Sequence, residues 1–87
     1  MKRWIALTAM ALIGCSTDKT SETTLTWEQT PQAVRMGIEK AYPDSKVTKV
    51  QREVYTETDI VQYEVELVTK DGREMESEFS SDGELLD

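Results

Sequence analysis

The chain has 87 residues, 31% of them charged, with 10 basic against 17 acidic side chains. That is chain enough for one domain, and a net charge of −7 excludes nucleic acid or anionic lipid as partners held by charge alone. Histidine is absent and Cys15 is the single cysteine, so the commonest general base and metal ligand are missing and no disulfide can close within the chain.

The first element is Met1-Lys2-Arg3 followed by Trp4 to Ile13, ten residues of which nine are apolar. A helix needs about 20 apolar residues to span a bilayer, so this run is too short. It has the length and basic flank of a secretory h-region. Gly14 supplies the small residue that a signal peptidase requires before its cut. Leu12-Ile13-Gly14-Cys15 resembles the lipobox of bacterial lipoproteins. The resemblance implies that residues 1–14 are a signal peptide and that the Cys15 sulfur receives a diacylglyceryl group. It also implies that the amine freed by cleavage is acylated, so the mature chain is membrane-anchored. Two or more chains hold a protein stably where one does not. Ser16 rather than aspartate after the cysteine implies, in a diderm host, the inner leaflet of the outer membrane, facing the periplasm. Cleavage would leave 8 basic against 17 acidic side chains, a net charge of −9.

Residues 16–24, Ser-Thr-Asp-Lys-Thr-Ser-Glu-Thr-Thr, have no apolar side chain. Such a segment cannot offset the entropy of ordering, so residues 15–24 read as lipidated cysteine and flexible tether. A coil of this length holds a domain roughly 15–20 Å from its anchor.

The domain then spans residues 25–87. Thr30-Pro31 reads as a helix start, threonine as the cap and proline at the first helical position. The helix runs to about Tyr42, because Pro43 disfavours helical geometry before it. Val34, Gly37, Ile38, Ala41 and Tyr42 share one stripe, and Met36 lies on the polar side. Gly37 costs about 1 kcal/mol against alanine in a helix, which predicts a close approach to the sheet at that position. Three strand patterns follow: Lys46 to about Thr56, Ile60 to Thr69, and Arg73 to Ser80. Val61, Tyr63, Val65 and Leu67 alternate with polar residues, as a half-buried strand requires.

Lys70-Asp71-Gly72 settles a register. A two-residue loop would set Leu67 against Glu76 and Val65 against Glu78, which puts acids in the core. A three-residue loop pairs Thr69 with Arg73 and leaves Gly72 left-handed. Leu67 then meets Met75, Val65 meets Ser77 and Tyr63 meets Phe79. The expected fold class is α+β, one helix on a three-stranded antiparallel sheet. Its core is Val34, Ile38, Ala41, Val50, Val54, Val61, Tyr63, Val65, Leu67, Met75 and Phe79. Trp27 covers an edge and Leu85-Leu86 tucks back.

"AVRMGIEKAYPDSKVTKV", "YEVELVTKDGREMESEF" and "SSDGELL" together resemble the PepSY and PepSY-like family of small cell-envelope domains. The likeness covers about residues 31–87, through Ala33-Val34, Tyr42-Pro43, the Tyr63-to-Leu67 alternation, Asp71-Gly72, and Phe79 with Asp82-Gly83 and Leu85. It implies an α+β fold of this kind and a role in modulating or inhibiting peptidases. It brings no catalytic motif.

The register places Glu64 opposite Glu78 and Glu66 opposite Glu76, with Glu74 nearby. Directly opposed like charges cost roughly 0.2–1 kcal/mol each; Lys49 and Arg52 on the first strand are placed to relieve some of this. The face reads as a solvated outer surface, a docking surface for a basic partner, or a carboxylate site for cations. The candidate partner-binding residues are therefore Glu64, Glu66, Glu74, Glu76, Glu78 and Trp27. The edge strands are a second surface, able to add a peptide strand. There is no GxSxG, SxxK or Gly-rich phosphate loop and no DxDxDG-type calcium loop. The expectation is a non-enzymatic, lipid-anchored binding module without catalytic residues, metal or cofactor. Its partners would be the membrane and an envelope protein or peptide. The alternatives are a cation or small-solute binder and a structural envelope lipoprotein.

Overall fold

A computed structural model describes residues 19–86. The expected signal peptide, Cys15 and residues 16–18 lie outside the described residues. The order is β1 (Lys19–Leu25), α1 (Gln32–Ala41), β2 (Lys46–Tyr55), β3 (Ile60–Val68) and β4 (Glu74–Ser80). The strands form one antiparallel sheet in the order β1-β2-β3-β4. The fold is thus α+β with one helix, but the sheet has four strands rather than three.

The extra strand is most of the segment expected to be a tether. Ser21, Glu22, Thr23, Thr24 and Leu25 pair with Val54, Glu53, Arg52, Gln51 and Val50. Ser21 to Thr24 are all exposed and contribute little burial. The strand exists because its backbone completes the hydrogen bonds of β2, and its threonines suit extended geometry.

The β3–β4 register is the one the three-residue loop predicts: Leu67 faces Met75, Val65 faces Ser77 and Tyr63 faces Phe79. Thr69 N–H donates to the Arg73 carbonyl at 2.8 Å, and Gly72 has φ +90°. The same device recurs after β4. Ser80 N–H donates to the Glu84 carbonyl at 2.9 Å, and Gly83 has φ +88°. In both turns the leading hydroxyl, Thr69 or Ser80, donates to the aspartate two residues on. The chain therefore folds back along β4, where Leu85 bridges to Phe79 and Leu86 N–H donates to the Glu78 carbonyl at 2.8 Å. The backbone of Leu85-Leu86 is tied down as expected, although both side chains stay exposed.

The core lies between α1 and the sheet. Val34, Ile38, Val50, Tyr63, Val65, Leu67 and Phe79 are buried, with Leu25, Trp27, Ala41, Tyr42, Val47, Val61 and Met75 packed around them. Val54 belongs to the expected core but is only half-buried, toward the far end of β2. Ser77 is the one polar side chain that β4 turns toward the helix in this core, and the Tyr42 hydroxyl is 2.5 Å from its Oγ. The Tyr42 ring meets Phe79 edge-on, 6.5 Å between centroids.

Thr30 does not cap the helix; Pro31 occupies that position and no side chain caps it. Thr30 is buried and its hydroxyl donates to the Thr26 carbonyl at 2.8 Å, closing the turn between β1 and α1. Gly37 does permit a close approach, but to the 80–84 turn rather than to the sheet. A Cβ there would lie 2.0 Å from the Gly83 carbonyl oxygen.

Candidate binding surfaces

Residues opposite one another on antiparallel strands share a face. Tyr63, Val65 and Leu67 face the helix, so their neighbours Glu64 and Glu66 face outward. The pairs Glu64–Glu78 and Glu66–Glu76 form as expected, and Glu74 lies opposite Val68 on the same outer side. Lys49 is opposite Glu66 and so lies on this face. Arg52 is opposite Tyr63, on the helix side, and cannot relieve the outer carboxylates.

β1 adds Glu22 to this face, beside Glu53 of β2, and sequence reasoning missed both. Glu22 is opposite Glu53, and with Glu64 they bring carboxylate oxygens within 4.8 Å of one another. Glu53 is 1% exposed, and the Tyr55 hydroxyl donates to its Oε1 at 3.5 Å. Only recognition of 19–25 as a strand would have revealed this cluster.

Trp27 sits apart from the five candidate glutamates. It follows β1 in the turn before α1, half-buried, and lines a groove of about 750 Å³. Leu25, Ile38, Tyr42 and Val47 supply apolar walls, while Glu39, Asp44 and Lys49 stand among its polar lining. The groove opens between the C-terminal half of α1, the C-terminal end of β1 and the N-terminal half of β2. Met36, 60% exposed, lies on the helix outside it.

The two sheet edges differ. Residues 84–86 pair with the C-terminal part of β4, while β1 is the terminal strand at the other side, beside β2. Leu25 joins this edge to the groove.

No described helix is long and apolar enough to cross a membrane. No protein-family model, curated protein or solved structure matches the chain.

Proposed function

We propose that the protein is a non-enzymatic, lipid-anchored envelope module that binds an extended segment of a partner protein along β1, and that the partner is an envelope peptidase. The supporting observation is the unequal closure of the sheet. The chain folds back to pair with its own β4, while β1 stands as the terminal strand at the other side of the sheet, next to a groove with apolar walls. An exposed edge adds a strand through main-chain hydrogen bonds, while adjacent pockets select side chains. The lipobox supports the anchor, and the PepSY-like resemblance supports a peptidase as the partner.

Adjacent residues of a strand point their N–H groups to opposite sides. Of Glu22→Pro and Thr23→Pro, one removes a bond to β2 and the other an outward donor. Added to a solubilised envelope fraction, the intact protein should lower peptidase activity on a casein substrate. The proline variant that keeps its fold should lose that effect. Equal inhibition by both folded forms would reject edge binding, and no inhibition by the intact protein would reject the peptidase.

The Glu22–Glu53–Glu64 cluster favours a second reading, a cation site on the outer face. Calcium takes six to eight oxygens, and three carboxylates can supply up to six. Binding would raise the melting temperature as RT ln(1 + [L]/Kd); an unchanged melting curve in millimolar calcium would remove this reading.

A further inference from the structure

The chain has no asparagine and two Asp-Gly dipeptides, Asp71-Gly72 and Asp82-Gly83. Glycine carries no side chain to shield its nitrogen or restrict its backbone, so this dipeptide is open to succinimide closure. The glycine nitrogen attacks the carbon of the protonated aspartate side-chain carboxyl. A C–N bond forms, a C–O bond breaks, and the hydroxyl leaves as water with the amide proton. Water then reopens the ring. Addition at the side-chain carbonyl restores aspartate. Addition at the main-chain carbonyl leaves isoaspartate, in which the chain runs through the side chain.

The two dipeptides sit in turns of one design. Two residues before each aspartate, Thr69 or Ser80 donates its hydroxyl to the carboxylate. Gly72 N–H donates to the Thr69 carbonyl at 2.9 Å, and Gly83 N–H to the Ser80 carbonyl at 3.0 Å. Both glycines are left-handed, at φ +90° and +88°, and both aspartates are exposed. In the closed turn the attacking nitrogen is therefore held by a carbonyl and the carboxylate by a hydroxyl. Thr69 and then Arg73 also keep Asp71 in its ionised, unreactive form. Closure waits for the turn to open, so its rate follows how often each turn opens.

The openings disrupt different things. At Gly72 a Cβ would meet nothing within 4 Å among the described residues. Opening there releases bonds within residues 69–73 and an exposed Lys70–Asp44 pair at 3.8 Å, which contributes little. Gly83 is seated against α1. A Cβ on it would lie 2.1 Å from the Ala33 carbonyl oxygen, and one on Gly37 would lie 2.0 Å from the Gly83 carbonyl oxygen. The 80–84 turn also leads into the return along β4, where Leu85 bridges to buried Phe79. Opening it would lift the turn off the helix and loosen that return.

We propose that Asp71-Gly72 is a site of spontaneous aspartate isomerisation in the folded protein, and that α1 shields the chemically matched Asp82-Gly83. Isoaspartate at 71 adds a methylene to the backbone of the three-residue loop and displaces Arg73 from Thr69. The modification loosens that end of the β3–β4 hairpin.

The full chain would be aged for weeks at mildly acidic pH and physiological temperature, folded in buffer and unfolded in urea. Isoaspartate has the mass of aspartate, so proteolytic peptides would be resolved by electron-transfer fragmentation. The unfolded chain should isomerise at both sites at similar rates. The folded chain should isomerise at 71 at least about tenfold faster than at 82. Equal conversion of both sites in the folded chain would overturn the shielding. Conversion of neither, while the unfolded chain reacts, would overturn the site at Asp71. Gly37→Ala pushes the 80–84 turn from the helix. It should raise conversion at 82 toward that at 71 and leave 71 unchanged; a folded Gly37→Ala protein with 82 still unreactive would overturn the role of α1. Where Gly37→Ala does not fold, the two sites of the unaltered chain decide the question.

Discussion

Replacing Gly37 with alanine tests the helix packing, because two effects of known size oppose one another there. In an exposed helix the change stabilises by about 1 kcal/mol. Here the new Cβ would lie 2.0 Å from the Gly83 carbonyl oxygen, 2.8 Å from its carbon and 3.0 Å from its Cα. All three are backbone atoms, so no side chain can rotate away. The 80–84 turn must shift, and with it the pairing of Leu85 on Phe79. Overpacking of this kind costs typically 1–3 kcal/mol, which equals or outweighs the helical gain. We expect a net loss of up to about 2 kcal/mol, or up to roughly 16 °C in Tm for a domain this small. Gly83→Ala should be worse, since that residue combines φ +88° with a Cβ 2.1 Å from the Ala33 carbonyl oxygen. Gly72→Ala is the control. It has φ +90° but nothing within 4 Å, so it should lose only the left-handed preference, about 1–2 kcal/mol. Thermal and urea unfolding of residues 15–87 carrying Cys15→Ser would rank the three. A Gly37→Ala protein more stable than its parent would refute the close crossing of α1 and the turn.

Three further outcomes follow from particular contacts. Tyr42→Phe leaves the Ser77 hydroxyl buried without its partner and should cost about 1–3 kcal/mol. The Tyr42→Phe/Ser77→Ala double variant should cost less than the sum of the single changes in a urea double-mutant cycle; strict additivity would mean the two hydroxyls do not interact. The Thr69 hydroxyl, and after it the Arg73 charge, hold the Asp71 carboxyl below its ordinary pKa. A carboxyl depressed in the folded state adds stability that is present above the ordinary value and is lost as pH falls through the lowered one. Asp71→Asn should therefore flatten part of the acid side of the stability profile, and an identical pH dependence of the urea midpoint would contradict the contact. Met36→Lys, on the exposed side of α1, should change stability by less than about 0.5 kcal/mol, and a larger loss in thermal unfolding would show that this side of the helix is packed.

The hairpin of β3 and β4 is legible in the sequence because two independent signals agree there. Alternation from Tyr63 to Leu67 sets which side chains face inward, and Asp71-Gly72 sets the loop length. Only one register satisfies both. β1 is not legible from burial, since Ser21 to Thr24 are all exposed. It forms through backbone pairing with β2, which a pattern of apolar residues cannot report. The consequences of that omission spread. Without β1 there is no Glu22 beside Glu53 and no groove wall at Leu25. Thr30-Pro31 illustrates a different failure. The dipeptide does mark the start of the helix, but the threonine hydroxyl turns back to Thr26 rather than forward onto the helix. Local chemistry named the position and a competing carbonyl chose the bond.

The most direct test of a binding module is photo-crosslinking in living cells with the full chain expressed. A photoreactive residue would replace Thr23 on the β1 edge, Glu66 or Glu76 on the outer face, or Met36 on the helix, one at a time. The adducts would be identified by mass spectrometry. Binding along β1 predicts one dominant adduct from Thr23, with an envelope peptidase as its partner, and none from Met36. Background alone from Thr23, Glu66 and Glu76, with the protein folded, would contradict it.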